Sequence, residues 1–214
     1  MRIVNKILWL LLTIGHVNLY GQSQIILNDT IMDKRIDFNL LEERAEKTPL
    51  AGENQYQYSL EYEDTDGSVC KIFGNKTNGF VEWQTPPNPV FLKIYKEYYP
   101  NGYLKVKGKR LRNGATLIGE WEYYNENGQL TSTVDEDKKF GKFGYNELYL
   151  FLHQQKYINI ETGENREKVS FGYNIETKQW SVTITGLGYW MTEYLIDGET
   201  GEILNKKESQ GGIE

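Results

Sequence analysis

The chain has 214 residues, of which 39% are hydrophobic and 25% charged, as in an ordinary folded protein of one domain or two small ones. Its 24 Lys and Arg stand against 30 Asp and Glu, which gives a net charge of −6. This acidic balance argues against nucleic acid and anionic membrane surfaces as partners, because both require a basic face. Cys70 is the only cysteine, so an intramolecular disulfide is excluded.

Residues 1 to 21 have the pattern of a secretory signal peptide. A positively charged start is followed by an apolar run at residues 7 to 14 and then by polar residues. The run falls short of the roughly 18 to 20 residues that span a bilayer, which favours cleavage over a membrane anchor. We therefore expect a mature chain that begins at Gln22, or after Ser23, and works outside the cytoplasm without a membrane span.

Residues 22 to 89 are predicted to form a β-rich region with one short helix. The helix is expected from Ile36 to Lys47, where apolar residues recur at helical spacing. Large and polar residues alternate from Tyr56 to Glu63, which predicts a strand, and Asp66-Gly67 predicts the hairpin turn after it. The proline-rich stretch at residues 85 to 89 is typical of a linker or of a crossing at a sheet edge.

A repeated pattern occupies residues 90 to 141. The segment from Glu97 to Leu104 is followed by a second copy from Glu122 to Leu130, which aligns with one inserted residue. Each copy contains Tyr-Tyr, then Asn-Gly, then Leu. Asn-Gly pairs favour tight hairpin turns in which both residues take positive φ, and Asn113-Gly114 adds a third pair. The pattern predicts an antiparallel meander of hairpins whose units lean on their neighbours.

The second copy of the repeat is preceded by a Gly-x-Trp-x-Tyr-Tyr form, from Gly119 to Tyr124. Together with the Asn-Gly pairs, this form resembles the bacterial MORN-related repeats of the YwqK antitoxin-component family. The resemblance covers only this repeat region and implies a stack of hairpin units. An antitoxin role is not expected, because a toxin that acts in the cytoplasm would not meet an exported protein.

The sequence pattern of residues 142 to 214 differs from that of the repeat region. A helix is predicted from Tyr145 to Lys156, and alternating segments predict strands that begin near Val169, Trp180, Met191 and Ile203. Tyr194, Asp197 and the Thr-Gly-Glu of residues 200 to 202 resemble the last hairpin of a PepSY-type domain, in which a helix packs on antiparallel strands. The resemblance implies a small α+β domain and an accessory or inhibitory role toward an exported enzyme.

Candidate chemical sites are few in this sequence. The segment from Asp64 to Gly67 hints at a calcium loop, but Asn75 stands where an EF-hand needs Glu, so a turn is expected. The mature chain keeps one histidine, His153, without a Cys or His at metal-ligand spacing. Neither a Gly-x-Ser-x-Gly elbow nor a phosphate-binding loop occurs. We therefore predict no catalytic residues, no cofactor and no metal site.

The aromatic residues of the two repeat copies are the remaining candidates for a binding surface. Alternation along a strand places the two members of each Tyr-Tyr pair on opposite sides of the sheet, so one ring of each pair can face solvent. The competing interpretation is that the outward rings only pack across strands. The candidate binding residues are Tyr98, Tyr99, Trp121, Tyr123 and Tyr124.

The sequence as a whole predicts a mainly β protein with minor α structure. Its domains are expected to be a signal peptide (1–21), a β-rich region (22–89), MORN-like hairpin repeats (90–141) and a PepSY-like α+β domain (142–214). The expected function is non-enzymatic binding or scaffolding outside the cytoplasm, with a protein, peptide or glycan partner in the cell envelope. The alternative is an extracytoplasmic hydrolase whose carboxylate site the sequence does not reveal.

Overall fold

A computed structural model describes residues 35–51, 55–186 and 190–210 of the chain. The predicted signal peptide lies outside these described residues. The two helices are α1 (Phe38–Arg44) and α2 (Tyr145–Gln154). The strands are β1 (Glu46–Pro49), β2 (Tyr56–Glu63), β3 (Val69–Asn75), β4 (Gly79–Thr85), β5 (Leu92–Tyr98), β6 (Leu104–Leu111), β7 (Leu117–Tyr124), β8 (Leu130–Asp135), β9 (Val169–Asn174), β10 (Gln179–Thr185), β11 (Trp190–Asp197) and β12 (Ile203–Gln210).

The first eight strands form one antiparallel meander in the order β1 to β8, so each strand pairs with its neighbours along the chain. The last four form a second sheet in the order β12-β11-β10-β9. The predicted fold class, a β meander followed by a small α+β unit, is therefore confirmed. The proline-rich stretch at residues 85 to 89 leads into a loop that joins β4 to β5, and these two strands pair within the meander.

The predicted N-terminal helix is present but shorter than expected. It starts after Asp37, whose carboxylate accepts hydrogen bonds from the backbone N–H groups of Asn39 and Leu40, as an N-cap residue does. It ends at Arg44, because residues 46 to 49 pair with β2 as strand β1 instead of continuing the helix. The helix packs on one face of the meander, in a core cluster formed by Ile36, Leu41, Tyr58, Leu60, Ile72, Phe80, Tyr98, Leu104 and Tyr124.

The two repeat copies have equivalent turns. In each, a three-residue loop closes the hairpin, and the glycine, Gly102 or Gly128, takes a positive φ of 87° or 75°. The asparagines before them do not take positive φ, so the prediction of two left-handed residues per turn is wrong. At the third pair, Asn113-Gly114, the asparagine takes the positive φ, at 54°, and the glycine does not. The turn after β2 has the same form, with Gly67 at φ 80°.

Strand register aligns the two copies without an insertion. The pairing of β5 with β6 shifts between Glu97 and Tyr98, and that of β7 with β8 shifts between Tyr123 and Tyr124. Tyr98 therefore corresponds to Tyr124, and Tyr95 corresponds to Trp121. The Tyr99 hydroxyl donates a hydrogen bond of 2.9 Å to the backbone oxygen of Tyr124 and so connects one copy to the next.

Helix α2 packs on the four-stranded sheet, as predicted for the C-terminal region. Its two fully buried residues, Leu148 and Leu152, face inward. Trp180, on β10, is also fully buried, and its indole Nε1 donates a 2.8 Å hydrogen bond to the backbone oxygen of Phe143. Neither α1 nor α2, the helices of the described residues, is long and apolar enough to cross a membrane.

The two sheets share the core under α2. Leu111 and Ile118, from β6 and β7 of the meander, belong to the same buried cluster as Leu148, Trp180 and Ile196. Polar contacts accompany this shared core and join the β6 to β7 loop to the segment before β9. They are the ion pair of Arg112 with Glu167 and the hydrogen bonds from Asn113 Nδ2 to the backbone oxygens of Arg166 and Val169.

Candidate functional site

The structure places two of the candidate tyrosines in the core. Tyr98 and Tyr124 are 3% and 6% exposed, on the side of the meander that α1 covers. Their hydroxyls donate 2.6 Å hydrogen bonds to the carboxylates of Glu82 and Glu122, respectively. These rings therefore stabilise the sheet and are not available to a partner.

The other members of the two pairs, Tyr99 and Tyr123, are partly exposed. Tyr99 has its hydroxyl engaged with a backbone oxygen, and the ammonium of Lys105 lies 5.8 Å from the centre of its ring. Tyr123 pairs with Val106 on β6 and with Ser132 on β8. Its side chain lies on the face of the sheet that does not carry Tyr98 and Tyr124. Of the two pairs, these are the rings that solvent reaches.

The fifth candidate, Trp121, belongs to an aromatic row on the side of the meander that faces away from α1. We call this side the open face. Trp83, Tyr95 and Trp121 lie on β4, β5 and β7, with ring centres 4.8 Å apart for the first pair and 5.8 Å for the second. Neither of the two core clusters contains any of these three rings.

The indole of Trp121 lies flat against the backbone of β6. A Cβ atom added to Gly108 would be 2.1 Å from Cδ2 of Trp121, so only glycine leaves room for the ring at this position. The indole Nε1 also donates a 3.2 Å hydrogen bond to the backbone oxygen of Lys109. Trp121 is consequently only 3% exposed and forms the floor of the aromatic row.

The guanidinium of Arg110 is packed against all three rings of the row. Its central carbon lies 5.2 Å from the ring centre of Trp83, 5.0 Å from that of Tyr95 and 5.8 Å from that of Trp121. Contacts of this kind combine cation–π attraction with stacking, and Arg suits them better than Lys because its charged group is planar. Arg110 is thereby held in one orientation above the sheet.

A shallow cavity of about 350 Å³ opens beside Arg110 on the open face. Three cationic side chains line it, together with the indole of Trp83 and the loop after β6. The lining residues are Lys71, Trp83, Thr85, Lys93, Arg110, Leu111, Asn113 and Gly114. The cavity is thus a cationic site with one aromatic wall, in a chain whose net charge is negative.

No protein-family model, curated protein or solved structure matches this chain. The resemblance to MORN-related and PepSY-type sequences therefore stays a prediction.

Burial limits the chemistry that the tyrosine and cysteine side chains of the meander can perform. Burial, and then the charge and hydrogen bonding of Glu97, raise the pKa of Tyr95, so its phenol stays protonated. Burial also raises the pKa of the Cys70 thiol to about 11, which leaves it a poor nucleophile at neutral pH. Within the described residues, no group of three or more His, Cys, Asp and Glu is placed to hold a metal ion.

The other segments singled out by sequence act as turns. In the suspected calcium loop, Asp66 Oδ1 accepts a 2.8 Å hydrogen bond from the backbone N–H of Ser68, so this carboxylate binds the loop's own backbone as in a turn. Asp197 Oδ1 likewise accepts from the N–H groups of Glu199 and Thr200. On the second sheet, Trp190 is 50% exposed at the start of β11.

Among the site residues that sequence reasoning missed are Lys71, Trp83, Lys93 and Arg110. Trp83 lies outside the repeat copies, and Arg110 lies between them, so neither belongs to the repeated pattern. The equivalence of Tyr95 with Trp121 was available in the sequence and would have predicted a ring at the same position of two successive hairpins.

Proposed function

We propose that this protein is a non-enzymatic binding or scaffolding protein that works outside the cytoplasm and holds its partner on the open face. The observation that carries the proposal is the stack of Arg110 on Trp83, Tyr95 and Trp121 beside an open cavity. Aromatic residues and Arg are enriched where proteins bind partners, because they supply area and directed hydrogen bonds from groups that are already rigid.

The partner class is a protein, peptide or glycan. Of the residues first suggested by the repeats, Tyr123 shares the open face with this stack, and Trp121 supports it from below. The cavity beside the stack is shallow and lined by cations, without convergent carboxylates among its lining residues. This lining favours binding over hydrolysis by a carboxylate pair.

The test is capture of partners from a cell-envelope extract by the wild-type protein and by two variants. Trp83→Ala removes an accessible ring of the stack and should reduce capture strongly. Trp190→Ala removes an exposed indole from the second sheet and serves as the control, since it lies outside the open face. Equal capture by all three proteins, with unchanged thermal unfolding, would contradict the proposed binding surface.

Export is supported by the charged start and the short apolar run within residues 1 to 21. Mass spectrometry of the native protein should find an N-terminus at or near Gln22 in the fraction outside the cytoplasm. A native protein that retains Met1 would overturn the export proposal.

A further inference from the structure

Two of the three cations that line the cavity beside Arg110 have no carboxylate partner among the described residues. Elsewhere on the meander, Lys105 pairs with Glu97 at 2.6 Å and Lys96 pairs with Glu82 at 3.2 Å. In the cavity, neither Arg110 nor Lys93 forms an ion pair with a carboxylate of the described residues. Two positive charges of the cavity are therefore not neutralised by a carboxylate of the described residues.

Lys71, the third cation of the cavity, has a partner that a ligand can replace. Its ammonium lies 2.8 Å from a carboxylate oxygen of Glu61, and both side chains are about 60% exposed. Ion pairs this exposed contribute little, because water and salt screen them. An anion in the cavity would therefore compete with Glu61 at small cost.

Arg110 is preorganised to receive an anion. Its Nε is buried and has no hydrogen-bond partner among the described residues, and its central carbon lies 5.0 to 5.8 Å from three ring centres, which hold the guanidinium in place. A guanidinium presents its donors in a rigid fork that matches the two oxygens of a carboxylate. Because the group is already fixed in place, little side-chain entropy is lost when it binds.

We propose that this cavity binds an acidic sugar, with the carboxylate of a uronic acid on Arg110 and Lys93 and the ring of the sugar against the indole of Trp83. This assignment rests on the proposed function and specifies its ligand. The flat apolar wall and the cations lie side by side in the cavity, as a ring that carries an anionic substituent requires. Its volume of about 350 Å³ is at the small end for ligand sites and suits one sugar unit with its neighbours outside.

A peptide fits the cavity less well than a sugar does. Extended peptides gain most of their affinity by adding a strand to a sheet edge, where backbone N–H and C=O groups are free. The cavity lies over β3 to β6, in the interior of the meander, where each strand is already paired on both sides. The paired strands therefore offer only side-chain groups there, and these suit the carboxylate and ring of a sugar.

The experiment is calorimetric titration of the full-length protein with a trisaccharide of galacturonic acid and with the neutral trisaccharide of galactose. We expect the acidic probe to bind at least tenfold more tightly than the neutral one, with affinity that falls as salt is added. Arg110→Gln and Lys93→Gln should each weaken the acidic probe at least tenfold. Lys207→Gln, which removes an exposed charge from β12, is the matched control and should change nothing.

Lys93→Gln keeps the test decisive if Arg110→Gln unfolds, since the cation–π contacts with the three rings are made by Arg110. Equal affinity for the acidic and neutral probes would overturn the proposal. So would equal or tighter binding of a glutamate-rich peptide, of adenosine monophosphate or of inorganic sulfate. If the sugar fails but Trp83→Ala still abolishes partner capture, the acidic-sugar assignment falls and the proposed function stands. If neither sugar binding nor partner capture depends on the open face, the acidic-sugar assignment and the proposed function are both wrong.

Discussion

Gly108 is the residue on which the geometry of the open face depends. Any Cβ there would displace the indole of Trp121, on which the guanidinium of Arg110 is packed. Gly108→Ala should therefore lower the free energy of unfolding by about 1 to 3 kcal/mol, the usual cost of an overpacked site. Urea denaturation measures this loss. The control is Gly172→Ala on β9, where the added Cβ would meet only the flexible Oγ of Ser181.

Glu42 is a surface carboxylate on which three donors converge. The ammonium groups of Lys47 and Lys76 lie 2.7 and 2.6 Å from its oxygens, and the Tyr58 hydroxyl donates a hydrogen bond of 2.7 Å. The bonds to the two lysines, more than that to the tyrosine, lower the pKa of Glu42 to about 2. NMR titration of this carboxylate should therefore give a midpoint near pH 2.

The lowered pKa of Glu42 also fixes the sign of its contribution to stability. A carboxylate whose pKa is lower in the folded than in the unfolded chain stabilises the fold above the unfolded value, near 4.5, and loses this effect as the pH falls toward 2. Glu42→Gln should thus cost stability at pH 7 and little at pH 2. Glu43→Gln removes a neighbouring carboxylate outside this cluster and is the control. A loss for Glu42→Gln that is the same at both pH values would contradict the assignment.

At the scale of the element, the hairpin turns of the repeat need glycine for two separate reasons. Gly102, in the first repeat turn, has a positive φ, and so does Gly119, which lies within β7 and serves for comparison. An added Cβ at Gly102 would lie 2.6 Å from Cε2 of Phe38, whereas at Gly119 it would meet nothing within 4 Å. Replacing either by Val should cost about 1 to 2 kcal/mol for the left-handed backbone alone. Gly102→Val should cost more than Gly119→Val in urea denaturation. Equal losses would mean that α1 moves aside without cost.

The strands could be predicted from sequence where one side of the sheet is buried. Alternation gave β2 from Tyr56 to Glu63 because Tyr58 and Leu60 alternate with solvent-facing polar residues. The side on which Tyr124 lies could not be predicted in this way. The register of β7 against β8 shifts between Tyr123 and Tyr124, and such irregularities depend on pairing between strands.

The candidate site was harder to predict than the strands, because its residues come together only through register across several strands. Trp83 reaches Arg110 through two pairings, Trp83 with Tyr95 and Tyr95 with Gly108, which set the spacing of the open face. Local periodicity shows that each of these residues lies on a strand. It does not give the strand offsets that turn lengths impose.

At the scale of the whole molecule, the meander and the α2 sheet are bound together by buried apolar residues as well as by polar contacts. Leu111 and Ile118 lie on strands of the meander but pack in the core under α2, and both are at most 3% exposed. The predicted domain boundary, between residues 141 and 142, lies between β8 and α2. Residues before and after this boundary contribute to the shared core. Separating the two parts would expose both side chains to water.

The shared core predicts that residues 35 to 210 unfold as one cooperative unit. With 5-fluorotryptophan in place of tryptophan, the fluorine resonances of Trp121 in the meander and Trp180 in the second sheet should disappear at the same urea concentration. Leu111→Ala combined with Ile118→Ala removes the shared side chains, at about 2 to 5 kcal/mol each for such buried residues, and should separate the two midpoints. Two midpoints already present in the wild-type protein would show that the boundary at residue 142 divides independent domains, because a core shared by Leu111 and Ile118 cannot lose one half and keep the other.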